Sequence, residues 1–151
     1  MSSAANKPFD VQVDEWIKGT HQQLDDAYRA TALLALARVQ QLTPVRTGRL
    51  RAAWTISLTA EPTREGNTDL ARTLQDLRAG EPYYIVNPTV YAMRIEYGFV
   101  GTDSLGRHYN EKGRHMMEQT IQEMPQIART ATQWVMSGQS PYTVTQAPVA
   151  P

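Results

Sequence analysis

Cysteine is absent from the 151 residues, which excludes a disulfide framework, a thiolate zinc site and a cysteine nucleophile together. An excess of charge is missing too. Fifteen Lys and Arg stand against fifteen Asp and Glu, so the chain lacks the overall field on which a general nucleic-acid or anionic-membrane binder relies. The most apolar run, Ala30 to Ala37, sits between Arg29 and Arg38 and falls far short of the ~20 residues of a membrane helix. Met1 to Pro8 lack the basic segment and apolar stretch of a signal peptide. These absences predict a soluble protein with no export signal. No segment recurs at a fixed period, which removes solenoids and propellers.

What is present fits one domain, since domains commonly run to ~100–200 residues. Val13, Ile17, Thr20, Leu24, Ala27, Thr31, Leu34, Ala35, Val39 and Leu42 step by three or four, predicting a long helix with one apolar face toward the core. Asp10 or Asp14 is the expected cap, Gly19 a point of weakness, and Pro44 the stop. Beyond Thr47 and Gly48 the period becomes two. Leu50, Ala52, Trp54, Ile56 and Leu58 alternate with Arg49, Arg51, Ala53, Thr55, Ser57 and Thr59, predicting a half-buried strand whose outer face begins as a basic stripe.

Residues 61–80 read as a charged loop carrying a short helix through Leu70, Leu74 and Leu77. Tyr83 to Val86 reads as a second strand, and Val90 to Tyr97 as two helical turns ending at Gly98. Residues 99–113, with three glycines and mixed charge, read as a surface loop. Met117, Ile121, Met124, Ala128, Ala131 and Val135 predict a last helix that Pro125 kinks or splits. The order predicts an α+β fold: a long N-terminal helix packed on a small antiparallel sheet, with further helices and an extended C-terminal tail. Residues 1–12 are expected as an N-terminal arm, 13–136 as the domain and 137–151 as an uncharged, proline-containing tail.

The chemistry-bearing residues form no familiar constellation. His21, His108 and His115 lack metal-ligand spacing, and no cofactor is expected. No nucleophile elbow or phosphate loop is present. Glu96 and Asp103 serve as a carboxylate pair only if the loop between them folds them together. Arginine outnumbers lysine twelve to three, and its planar fork suits carboxylates or phosphates. Arg46, Arg49 and Arg51 lie in a stretch without acids, where pairing with acids of a neighbouring element or subunit is the ordinary outcome. Trp16 and Trp134 are expected as packing anchors.

Thr43-Pro-Val-Arg-Thr-Gly-Arg-Leu-Arg-Ala-Ala-Trp54 resembles the phage tail-completion family, the head-tail joining proteins, whose members carry Thr-Pro-x-x-Thr-Gly-x-Leu-Arg before an aromatic residue. Tyr91-Ala-Met-Arg-Ile-Glu-Tyr-Gly98 resembles that family's Tyr-Ala-x-x-x-Glu-x-Gly signature. Arg114 to Ile121 is similar to the start of its last helix, without the usual Pro-x-Phe. The resemblance runs from about residue 42 to 136, and the tail has no counterpart in it. As structural motifs, Pro44, Thr47, Gly48 and Leu50 make a helix-to-strand corner, Tyr91 faces the core, Glu96 pairs with a base such as Arg49 or Arg51, and Gly98 ends a turn.

The resemblance implies a virion protein without bond chemistry, made in the host cytoplasm and assembled in the neck or tail. It would form a ring, of six copies or alternatively twelve, between the portal or head-adaptor protein and the tail tube or tail terminator protein, with genomic DNA passing through. Loops 61–81 and 99–113 and the tail, including Tyr142, are the expected partner contacts. No membrane is involved. Two further readings stand beside it: a small DNA-binding protein using Arg46, Arg49 and Arg51, and a hydrolase built around His108, His115 and Asp103.

Overall fold

The computed structural model describes residues 7–46, 48–59 and 70–138. Thr47, Tyr142 and nearly all of the 137–151 tail lie outside the described residues, as does most of the 61–81 loop. Five helices and four strands follow in the order α1 (Phe9–Leu42), α2 (Arg49–Ala52), β1 (Thr55–Ser57), α3 (Leu70–Asp76), β2 (Tyr84–Val86), α4 (Ala92–Tyr97), β3 (Gly98–Thr102), β4 (His108–Lys112) and α5 (Met116–Met136). The fold is α+β. β1 pairs antiparallel with β2, Ile56 opposite Ile85, and β3 pairs antiparallel with β4, Val100 opposite Asn110.

α1 is the axis of the molecule, and its two halves meet different surroundings. From Ala30 to Leu36 nearly every residue is buried, because the helix is covered on two sides. Leu33, Leu36 and Val39 pack with Leu50, Trp54, Ile56, Leu74, Leu77 and Met116. Ala30, Leu34 and Ala35 pack with Ile127, Ala131 and Val135 of α5. The alanines let α5 approach closely, and Arg38 locks the pair by two hydrogen bonds to Glu123, at 2.6 and 2.9 Å. Such a forked pairing is stronger than a single contact between the same charges.

The leading half of α1 departs from the expectation that Val13, Ile17 and Leu24 face a core. The helix starts at Phe9, not Val13, with Asp10 inside its first turn and no side-chain cap. It passes through Gly19 unbroken. Phe9 is 80% exposed and Trp16 71%, and Val13, Ile17 and Leu24 are exposed as well. Among the described residues nothing packs over Trp16 as the anchor role requires, whereas Trp134 packs on the α1–α5 cluster. Periodicity identified the helix and its apolar face, but it carries no information about what covers that face.

Three other expectations are corrected. The strand through Leu50 to Leu58 shrinks to Thr55–Ser57, because Gly48, at φ 82°, starts the α2 turn instead. Within α2, Ala52 N–H bonds Gly48 O and Ala53 N–H bonds Arg49 O, so Arg49 and Arg51 sit on a helical turn rather than a strand's outer face. The 99–113 loop is a β-hairpin. Of the kink or split expected at Pro125, the split does not occur, since α5 runs through it to Met136.

Candidate functional site

The first motif folds as a corner held by a relay of hydrogen bonds. α1 ends at Leu42 and Thr43 turns extended, at ψ 125°, as a residue before proline must. The buried Thr43 hydroxyl donates to Val39 O at 2.7 Å and accepts from the Trp54 indole N–H at 2.7 Å. Arg51 donates to Thr43 O at 3.1 Å, and Asn87 to Leu50 O at 2.8 Å. Trp54 thus closes the corner from beneath while Leu50 enters the core.

The second motif crosses this corner. Tyr91 precedes α4 rather than lying within it, half-buried with Ile95 against the larger cluster. Glu96 does not pair with Arg49 or Arg51. Its carboxylate, 9% exposed, accepts the backbone N–H groups of Met117 at 3.0 Å and Glu118 at 3.1 Å. These are among the first N–H groups of α5, which have no partner within their own helix, and a carboxylate there also meets the favourable end of the helix dipole. A residue 21 positions upstream of Met117 therefore does the work of a cap. Sequence reasoning missed this because an N-cap is sought beside its helix.

Gly98 and Gly113 explain how the chain leaves and regains this place. A Cβ on Gly98 would lie 2.5 Å from Glu111 O, and one on Gly113 2.5 Å from Glu96 O. Gly98 also holds φ 84°, a region side chains avoid. With both Cβ atoms absent, Arg114 N–H reaches Ile95 O at 2.8 Å and His115 N–H reaches Glu96 O at 3.0 Å. The β3–β4 hairpin thus leaves and returns through a narrow clasp between the end of α4 and residues 113–115.

At the hairpin's tip Asp103 accepts from the N–H groups of Leu105 and Arg107, from the Arg107 guanidinium at 2.6 Å and from the Tyr109 hydroxyl. The Arg107 backbone hydrogen bond, chief among these contacts, holds its pKa below the usual carboxylate value against a smaller opposing effect of desolvation. Asp103 stands at the far end of the hairpin from Glu96, so the two do not form a carboxylate pair. His108 contacts Thr102, while His115, at the other end of β4, contacts Glu118. The structure does not bring together the hydrolase residues His108, His115 and Asp103.

Between the corner, α4 and the base of the hairpin lies a groove of about 1170 Å³. Pro44, Arg46, Gly48, Leu50 and Tyr91, drawn from both motifs, line it. Arg49, Arg51, Trp54, Glu96 and Gly98 are not in its lining. Val45 of the first motif and Arg94 and Ile95 of the second complete these walls, and Glu111 to Gly113, which no sequence motif marked, lead to Arg114 on the remaining side. The Arg94 guanidinium lies 4.2 Å from the Phe99 ring centre and 4.7 Å from that of Tyr109, with Nε 3.2 Å from Glu111. The aromatic residues Phe99 and Tyr109 on either side of a glycine-containing turn are the signal that points to this hairpin wall.

The groove is apolar inside and positive at its lip. Leu50, Tyr91 and Ile95 contribute the interior, and Arg46, Lys112 and Arg114 the lip. Among the described residues, none of these three cations has a carboxylate within salt-bridge distance. No group of three His, Cys, Asp or Glu suited to a metal occurs among the described residues, and no described helix is long and apolar enough to cross a membrane. Compared with protein-family models, curated proteins and solved structures, the chain matches none.

Proposed function

We propose that the protein is a structural head-tail joining protein of a tailed bacteriophage, forming a ring in the neck between the portal complex and the tail. The observation that supports this most is the convergence of the two family-like blocks. Separated by 36 residues of sequence, Thr43–Trp54 and Tyr91–Gly98 supply facing walls of one groove. They do so through backbone turns, buried hydrogen bonds and a lip whose cations have no carboxylate partner among the described residues, an arrangement suited to holding another protein. A closed ring needs two different complementary surfaces on each copy, and this chain offers both a groove and a projecting apolar helix.

Removing the protein from its phage tests the reading. Filled heads and finished tails should accumulate unjoined, and added protein should restore infectious particles. Joined, infectious particles formed in its absence would overturn it.

One observation favours a second reading, DNA binding. Arg46, Lys112 and Arg114 gather positive charge at one lip, replacing the strand edge of Arg46, Arg49 and Arg51 as the surface concerned. Phosphate contacts of this kind weaken affinity with a log–log salt slope of ~0.9 per phosphate neutralised. Duplex titrations at several salt concentrations, with Arg46→Ala and Arg114→Ala reducing the slope, are its test. Flat titrations at low salt dismiss it.

A further inference from the structure

The exposed half of α1 and the groove are complementary, and the geometry points to the leading half of α1 from one copy of this chain seating in the groove of the next. As the contact that builds a ring, this rests on the neck reading above. As a contact between two copies, it stands on the geometry alone.

Phe9, Val13, Trp16, Ile17 and Leu24 recur at three- and four-residue steps, so they share one stripe. The same register leads on to Ala27 and Leu34, which α5 covers. The stripe is thus the uncovered extension of a packing face. Apolar area left in water gains nothing from folding, whereas each large side chain is stabilising once buried. A tryptophan 71% exposed on a regular helix marks an apolar surface that the described residues leave uncovered.

Charge selects the occupant. Asp10 and Asp14 flank the stripe one helical turn apart, and neither has a cation partner among the described residues. The groove presents Arg46, Lys112 and Arg114 around an apolar floor of Leu50, Tyr91 and Ile95. An apolar stripe with an acidic flank therefore meets an apolar floor with a basic lip, the pattern by which interfaces fix register. An amphipathic helix laid in a groove is a recurring mode of recognition.

The helix cannot serve its own groove. α1 is continuous from Phe9 to Leu42, and Ile17 stands about 38 Å along it from Leu42, beside which the groove opens at Pro44 and Val45. The donor must be a second copy. Because helix and groove are different surfaces, repetition of the contact builds a ring or a filament unless two copies exchange helices reciprocally.

The lack of cysteine makes the test direct. Full-length copies carrying Ile17→Cys are mixed with copies carrying Val45→Cys and treated with a short bis-maleimide. The result expected is a cross-link between position 17 of one copy and position 45 of another. Trp16→Asp in the first copy should abolish it while leaving thermal unfolding unchanged at a protein concentration low enough that the copies are unassociated. Arg46→Glu with Lys112→Glu in the second copy should reduce the yield about tenfold or more, roughly the effect of losing 1.4 kcal/mol. Asp10→Lys with Asp14→Lys in the first copy should restore much of it.

Cross-links only between two copies of position 17 would show helices pairing with each other and overturn the proposal. A monomer without cross-links up to roughly millimolar protein overturns it as well. So does a yield of zero accompanied by salt-sensitive duplex binding that Arg46→Glu removes, since nucleic acid then owns the groove. A lower melting point for Trp16→Asp at that low concentration would place the stripe against its own chain, with the same consequence. The two readings fail separately. Cross-links from a chain absent from phage particles retain the contact and remove the neck function, and the reverse result removes only the contact.

Discussion

Glu96 joins two parts of the chain that are distant in sequence, because its two oxygens take the first free N–H groups of α5 while its own helix lines the groove. Replacing it by alanine leaves those part-buried N–H groups without their carboxylate acceptor. We expect Glu96→Ala to lower stability by ~1–3 kcal/mol, read from urea unfolding, with Glu96→Gln intermediate because one acceptor survives. Thr43→Val should cost a similar ~1–3 kcal/mol, since the Trp54 indole N–H then has no partner beneath the corner. An unchanged unfolding midpoint for either variant would contradict the corresponding role. The Thr43 relay was readable only as a corner, because its partners Val39 and Trp54 lie on different elements.

Tyr83 gives a pH signature at the same scale. Burial, with a smaller contribution from Tyr28, pushes its pKa up to about 12, and the two rings meet edge to face at 5.2 Å. An unfolded tyrosine ionises near 10. The folded pKa is the higher one, so this contribution to stability is fully present below about pH 10 and is lost as pH rises toward about 12. Urea midpoints should decline across that window, and Tyr83→Phe should flatten the decline. A slope unaffected by the substitution would contradict the burial of this ring.

Among the elements, those with a strong period of their own were legible and those set by context were not. α1 and α5 announce themselves by apolar steps of three and four, and Leu70, Leu74 and Leu77 marked α3 with its adjoining turn. The α2 turn was misread as a strand because Leu50, Ala52, Trp54 and Ile56 alternate by accident. Gly48 in the left-handed region decides the local path there. The hairpin was hidden because its faces divide between a few ring contacts and solvent, leaving no clean alternation of burial. Its base depends on backbone approach, so Gly98→Ala should destabilise by ~1–3 kcal/mol through strain and collision with Glu111 O. Hydrogen exchange across residues 98–115 should rise in step. Protection equal to that of the wild type would show that the clasp tolerates a side chain.

On the scale of the whole molecule, one half of α1 is buried and the other is bare among the described residues, as the proposed assembly requires. The central part of α1 has α5 on one side and the β1–β2 side on the other, whereas Phe9 to Leu24 have no cover among the described residues. The neutral chain fits this, because copies crowded around an axis repel if strongly charged, while an acidic helix flank and a basic lip attract. The groove's location was half legible in advance. Its two motif walls were visible in sequence, but the wall from Glu111 to Gly113 depended on the hairpin.

Mass spectrometry of purified phage particles, with the portal protein as internal standard, tests the neck assignment most directly. The account predicts a fixed, low copy number on the order of one ring per particle, about six or twelve chains. Absence of the chain from mature, infectious particles would contradict it.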